Sequence, residues 1–288
     1  MFAMAVSDVL LRRPLADVDV SAGLALSFEA GWNQTADDWR LMLGRGNGFG
    51  IQAPDGRLVA TAVAHGYDGL FGWISMVLVT QDFRRRGLAT ELLARCIEAL
   101  SQQQLTAGLD ATEAGRKVYL PLGFVDVYGL HRLMAEIRPC AKQPASGIRP
   151  MYVADLPTVR AYDSRVFGAD RGEVLAHLFH RAPQLAFVAE EAGRVLGFVL
   201  GRDGREAIQI GPISADDESA AIALIDVALA AAAGRVYLDA ADRHAAFGAH
   251  LASLGFVAQR PFIRMLRGRA APFDDPARVF AIAGPELG

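Results

Sequence analysis

The stretch from Leu70 to Leu100 constrains this chain more than any other, because its pattern changes partway along. Bulky and β-branched residues crowd Phe71 to Val79, which predicts a strand. From Leu88 onward the apolar residues Leu88, Leu92, Leu93, Cys96 and Leu100 recur at helical spacing. Between strand and helix lie Arg84, Arg85 and Arg86, closed by Gly87. The first turn of a helix leaves four N–H groups unpaired, and its dipole favours negative charge. Three arginines and a glycine at that point suit a polyanion, although a solvated charged turn has the same composition. The order of residues is neither GxxxxGK[ST] nor GxGxxG.

Composition narrows the partners. A chain of 288 residues holds two domains of ordinary size, and a formal net charge of −3 does not suggest nucleic-acid binding. A basic loop on such a background points to one discrete anionic ligand. The two cysteines, Cys96 and Cys140, make no disulfide framework or metal cluster, and no metal is expected. No stretch reads as a membrane span; the Ala-rich segment near 219–233 is too short and flanked by acids. The expected protein is cytoplasmic, monomeric or homodimeric, without nucleic-acid or membrane partners.

The chain before the basic turn reads as a strand at Leu11–Leu15, a helix over about Asp17–Ala30 and a second helix over Ala36–Leu43. Thr35 and Asp38 have the form of a capping box for that second helix. Trp32, Asn33 and Gln34 connect the two helices. An aromatic followed by amides offers shape and hydrogen bonds to a small ligand, and equally a packed helix junction. Glu29, His65 and Asp110 are candidate bases; Asp110 also suits a loop-ordering role through backbone hydrogen bonds. Segments 48–52, 57–65 and 70–79 read as an antiparallel meander, with a tight turn at Asp55–Gly56. A strand at Thr106–Leu109, a short helix over Glu113–Leu120 and a strand starting at Leu122–Val127 come next.

The run Val77–Leu78–Val79 followed by Arg84-x-x-Gly87-x-Ala89 resembles the coenzyme loop of the GCN5-related N-acetyltransferases, whose motif is Gln/Arg-x-x-Gly-x-Gly/Ala after a hydrophobic strand. Tyr119, four residues ahead of the Gly123–Phe124 pair, stands where that family carries the tyrosine that protonates the leaving thiolate. The resemblance implies a mixed α/β fold, a mainly antiparallel central sheet flanked by helices. It implies acetyl-CoA as donor and direct transfer to a primary amine of a small polar molecule in a ternary complex. Pyrophosphate would lie on Arg84, Arg85, Arg86, Gly87, Leu88, Ala89 and Thr90. Met76, Val77, Leu78 and Val79 would offer the strand edge to the pantetheine arm and an N–H to the thioester carbonyl. Tyr119 would be the acid and Glu29 a candidate base, with Trp32 and Asn33 at the acceptor. The alternatives are a protein or peptide N-acetyltransferase and a catalytically silent acyl-CoA-binding regulator.

The order of elements then repeats. Pro139 to Pro150 is rich in Pro and Gly, which marks a boundary and predicts domains at 1–138 and 149–288 joined by a linker at 139–148. Leu109–Asp110–Ala111 and Leu122–Gly123–Phe124–Val125 are echoed by Leu238–Asp239–Ala240 and Leu254–Gly255–Phe256–Val257. The second half therefore reads as a divergent copy, giving tandem acetyltransferase-like domains. Its counterpart of the basic turn is acidic, Asp216–Asp217–Glu218, with Ser214 and Asp217 expected to cap the next helix. Leu251 replaces the tyrosine. Such a loop repels pyrophosphate, so the copy is not expected to bind the coenzyme. Asp163, Asp170 and Arg171 are its candidate acceptor-facing residues, and the apolar ending AIAGPELG is expected to pack as a last strand or a cover.

Overall fold

Short polar turns at 53–57 and 68–70 force the three strands of the meander to run antiparallel, with Asp and Gly in both. In the computed structural model, which describes residues 9–138 and 146–288, the strands β1 (Leu11–Pro14), β2 (Gly46–Gln52), β3 (Leu58–Tyr67) and β4 (Phe71–Val79) pair in that order. Helices α1 (Val20–Glu29) and α2 (Ala36–Arg45) lie between β1 and β2, and α3 (Leu88–Gln102) follows β4. The predicted capping box is present: Asp38 accepts from the Thr35 N–H at 2.7 Å and its hydroxyl at 3.2 Å. β3 is buried on both faces, with all three helices packed on it. Trp39 and Met42 are fully buried, and the Trp39 indole donates to Ser27 Oγ at 3.0 Å. Cys96 is likewise buried, which pushes its thiol pKa up.

The chain divides by its contacts into two units, Met1–Ala107 and Gly108–Gly288. Cys140 and most of the proline-rich stretch fall outside the described residues. The second unit holds the paired part of β5 (Thr106–Ala111), then β6 (Phe124–Ile137), β7 (Ile148–Pro150), β8 (Phe187–Glu191), β9 (Arg194–Arg202), β10 (Ile208–Ala215), β11 (Gly234–Ala241), β12 (Val257–Arg267) and β13 (Val279–Ala281). Helices α4 (Glu113–Tyr119), α5 (Leu156–Phe167), α6 (Gly172–Arg181), α7 (Glu218–Ala230) and α8 (Ala245–Ser253) complete it. Its sheet runs β5-β12-β6-β11-β13-β10-β9-β8-β7, antiparallel throughout except for the β10–β11 pair. The Ala-rich α7 owes its stability to packing against β8, β9, β10 and α8, which also explains its apolar circumference.

The two sequence repeats exchange strands inside this unit. β6, which ends the first repeat, pairs along Leu130–Ile137 with β11 of the second. β12, which ends the second, pairs through Ile263–Leu266 with β5 of the first. The two exchanged strands also pair with each other. Each repeat therefore borrows an edge from its copy, so contact-defined units and sequence repeats do not coincide.

A further echo marks where each repeat begins. Arg13 holds Asp19 through two nitrogens at 2.9 and 2.6 Å, and Asp19 accepts the Ala16 N–H at 2.9 Å. Arg149 holds Asp155 at 2.7 and 2.9 Å, and Asp155 accepts the Tyr152 N–H at 2.7 Å. In both, arginine precedes a proline and reaches an aspartate six residues on that opens a helical turn. Segments 13–19 and 149–155 carry this signature in the sequence, RPLADVD and RPMYVAD.

The acidic loop differs from expectation in one respect. Asp217 alone caps α7, accepting from the Ala220 N–H at 2.9 Å and the Ser219 hydroxyl at 2.6 Å. Ser214 is buried within β10 and takes no part.

Candidate active site

The last strand of the meander carries a break in its ladder. Thr61 pairs with Leu78 and Val63 with Ser75, which leaves Met76 and Val77 together opposite Ala62. Such a bulge bends the strand and turns backbone groups out of the ladder. Met76 sits at φ +51, and the Thr61 hydroxyl fixes its carbonyl with a hydrogen bond of 2.9 Å. Met76 and Leu78 are buried, whereas Val77 and Val79 are partly exposed.

After Val79 the chain makes a 3₁₀ turn at Gln81–Phe83 and enters the basic segment. Arg84 donates from Nε to the Val79 carbonyl at 3.0 Å, and Arg86 donates to the Asp82 carbonyl at 3.0 Å. Both stems brace the turn, while Arg84, Arg85 and Arg86 stay exposed. Arg85 at φ +61 and Gly87 at φ +77 are left-handed, so the segment turns sharply into α3. A Cβ on Gly87 would meet nothing within 4 Å, and no side chain caps the helix. The opening of α3, Leu88 buried and Ala89 and Thr90 more exposed, is left to present N–H groups outward. The one acid of that first turn, Glu91, is balanced by Arg12 at 2.8 and 3.0 Å. The arrangement gathers exposed positive charge at an uncapped helix start, a combination suited to phosphate oxygens.

Glu29, expected as a base, is committed to this turn. Its carboxylate accepts the Thr80 hydroxyl at 2.7 Å and the Gln81 N–H at 2.6 Å, with Arg84 at 3.9 Å. The Thr80 hydrogen bond foremost, then the Gln81 N–H and Arg84, hold its pKa below the usual carboxylate range against a smaller effect of burial. A carboxylate stabilised in its charged form is poorly matched to taking a proton near neutrality.

His65 is fully buried beside the Tyr67 hydroxyl at 3.0 Å, and desolvation, with Arg45 nearby, pushes its pKa down to about 3. It is neutral across the working range and remote from solvent. Trp32 is half-buried and Asn33 buried. Their position follows from the end of α1, where the Trp32 N–H bonds back to Ser27 and the Gly31 N–H to Phe28, a Schellman closure. Next to them Gln34, also buried, leaves its Oε1 without a hydrogen-bond partner. An amide following Trp-Asn was the available signal for it.

In the second unit, Tyr119 ends α4, whose start is capped by Thr112 accepting the Gly115 N–H at 3.2 Å. Its ring packs 6.1 Å from Phe124 and lies over Gly115. Asp110 orders structure through its side chain rather than through backbone bonds. It forms a two-pronged pair with Arg264 at 2.9 Å on each arm, and Arg264 also reaches Asp274 at 2.7 Å. Asp163 and Arg171 do not face a cleft. They are buried against each other at 2.8 and 2.9 Å, and Arg171 also donates to the Gly288 carbonyl at 2.8 Å. Asp170 pairs with Arg160 and, from just before the N-cap of α6, accepts the Gly172 N–H at 2.8 Å. Among the described residues no group of three His, Cys, Asp or Glu is arranged to hold a metal, and no helix is long and apolar enough to cross a membrane.

Comparison with known proteins finds one matching stretch in each repeat. Residues 24–124 match the model of the acetyltransferase (GNAT) family, and residues 159–281 match that of an acetyltransferase (GNAT) domain. An uncharacterized N-acetyltransferase of Bacillus subtilis, YitH, is 25% identical over 259 residues, covering 88% of this chain and 89% of its own. A putative acetyltransferase from Pyrococcus horikoshii superposes with a TM-score of 0.80 at 20% identity, over 97% of this chain and 96% of that one. A tandem GNAT protein from the clavulanic acid biosynthesis pathway superposes with a TM-score of 0.63 at 15% identity, over 92% and 99%.

Proposed function

The chain belongs to the GNAT acetyltransferases and carries two such domains in tandem, and on that premise we propose that it moves the acetyl group of acetyl-CoA directly onto a primary amine of a small polar molecule within a ternary complex. The observation that carries this reading is the uncapped start of α3 behind Arg84–Gly87, open at Gly87 and braced by its own arginine stems. In the proposal, Arg84, Arg85 and Arg86 and the N–H groups of Gly87, Leu88, Ala89 and Thr90 take the pyrophosphate. The bulged edge from Met76 to Val79 takes the pantetheine arm, and an N–H there polarises the thioester carbonyl. Such an aligned donor contributes about 3 kcal/mol to the transition state in comparable sites. Tyr119 gives its proton to the departing thiolate. Trp32, Asn33 and Gln34 form a wall for the amine.

Glu29 has a supporting part in this scheme, as a positioning residue that fixes the first residues of the basic turn rather than as a base. The domains of the proposal are 1–138 for the coenzyme and 149–288 as a divergent copy, with cytoplasmic location and a monomeric or homodimeric state.

Calorimetric titration with acetyl-CoA is the direct test. One saturable site per chain is expected, and joint reversal of Arg84 and Arg86 to Glu should weaken it at least about 100-fold, given roughly 1.5–3 kcal/mol per charged contact. Absence of saturable binding, or binding indifferent to the reversal, would sink the assignment. Thiol release screened over small amines, amino sugars and peptides then separates a small-molecule enzyme from a peptide-directed one.

A further inference from the structure

Among the described residues of the second unit the buried charges are paired, and half-buried Arg260 departs from that pattern. Arg132 is buried and spends its guanidinium on Asp239, at 2.8 and 2.7 Å. Directly across the β6–β12 ladder from it stands Arg260. Like charges opposite each other in a sheet destabilise it unless something compensates. Arg260 is half-buried, forms no ion pair and donates no hydrogen bond among the described residues, and its Nε is fully buried without a partner.

The neighbouring acids are already engaged. Asp239 also accepts from Gln209 at 2.9 Å. Glu206 is held by Arg205 at 2.5 Å and takes the Tyr237 hydroxyl at 3.3 Å. The Phe262 ring lies 5.6 Å from Arg260 and 5.5 Å from Arg132, which offers each a π face but no negative charge. Burial first, and Arg132 second, lower the pKa of the Arg260 guanidinium from its ordinary value. An arginine cannot escape such a setting by losing its proton, so the compensating charge has to come from beyond the described residues.

We propose that Arg260 is an anion receptor on the second unit, taking a carboxylate or phosphate group in its guanidinium fork beside Tyr237 and Gln259. Gln259 already points its amide nitrogen to the Tyr237 hydroxyl at 3.3 Å, which gives the site polar walls around the cation. Bidentate geometry makes the guanidinium suited to either oxyanion. This site is independent of the acetyl-transfer reading and stands or falls without it.

Thermal unfolding of the full chain tests it, in chloride buffers of matched ionic strength with inorganic phosphate or succinate added. The wild type should gain about 2–4 °C at saturating anion, since a ligand of the folded state stabilises it. Arg260→Gln should lose that gain while being at least as stable as wild type in chloride alone, because it removes the opposed charge. Arg260→Lys, which keeps the charge but not the fork, should retain a smaller gain. The anion with the larger effect names the group. Indifference of the wild type to both anions, or an equal gain in Arg260→Gln, overturns the proposal.

Discussion

Both repeats break the ladder of the corresponding strand with two residues, yet beyond the break the two segments take opposite charge. In the first, Met76 and Val77 bulge opposite Ala62 and the strand runs out into three arginines and an open glycine. In the second, the pairings Ile210 with Gly201 and Ile213 with Val199 leave Gly211 and Pro212 opposite Leu200. That strand runs out into acids, each already used: Asp216 by Tyr162 at 3.0 Å, Asp217 as a cap, and Glu218 by the Phe247 N–H at 3.3 Å. The parallel pairing of β10 with β11 covers only Ile208–Ile210, and past it β13 joins both strands. Residues 279–288 are almost wholly buried there, fastened by the Arg202–Glu286 ion pair and by Arg171 at Gly288. One repeat leaves its strand end open and positive; the other closes it with its own chain. A duplicated scaffold can thus keep its geometry and change the occupant of the equivalent gap.

The sharpest way to break this comparison is the same substitution on both sides. Gly211 sits at φ +147, and a Cβ there would lie 2.0 Å from the Ile282 carbonyl oxygen. Gly211→Ala should cost about 3 kcal/mol or more, through strain and displaced backbone. Gly87→Ala meets open space and should cost only the left-handed penalty, about 1 kcal/mol, while impairing coenzyme binding. Denaturant titration compares the two, and equal losses would refute the idea of a filled second gap.

Next in size is Tyr119→Phe, which removes the acid of the proposed transfer. A fall in kcat of about 100-fold with little change in the KM for acetyl-CoA is expected. A variant with full turnover would make Tyr119 a packing residue against Phe124. The second repeat offers no equivalent loss, since Leu251 stands at its matching position and is fully buried.

These contrasts mark what the chain discloses in one dimension. The basic turn, α3 and the Thr35–Asp38 box were legible because the signals that define them, a run of arginines before Gly87, a helical apolar period and a capping pair three apart, are local. The acidic character of the second loop was legible for the same reason. Strand exchange was not, since β5 and β12 meet through residues such as Asp110 and Arg264, separated by 154 positions. Asp163, Arg171 and Asp110 look available in sequence because the partner that neutralises each, 8 positions away for Asp163 and Arg171 and 154 for Asp110, is set by the fold. Glu29 misled in the same way, its partner lying 51 residues away at Thr80. The Arg-Pro signature that opens both repeats was present but short, and its meaning depends on a clamp seen only in three dimensions.

The loop tether gives a middle-sized effect. Glu29→Ala and Thr80→Val should each raise the KM for acetyl-CoA about 10-fold with kcat within about twofold, the worth of one charge-assisted hydrogen bond. The double variant should be no worse than Glu29→Ala alone, because that change already removes the Thr80 contact. A collapse of kcat in Glu29→Gln would instead restore Glu29 as a base. The spatial counterpart, Tyr162→Phe, which removes the hydroxyl 3.0 Å from Asp216 and from the Leu196 carbonyl, should leave both constants alone.

The smallest expected effects separate the paired clamps. Asp19 is 6% exposed in its side chain and Asp155 18%, and their arginine partners are 27% and 37% exposed. Asp19→Ala should cost about 2 kcal/mol and Asp155→Ala about 1, since solvent screens the second pair more. Arg13 and Arg149 lower the pKa of the two carboxylates in the folded state. Their contribution is therefore complete above the unfolded value near 4 and is withdrawn as pH falls through the lowered folded values. Stability curves of wild type and the two variants should run parallel at pH 6–8 and converge below about pH 4. If the Asp155 variant converges while the Asp19 variant does not, the two clamps are alike only in sequence, and the duplication preserved their geometry without preserving their energetics.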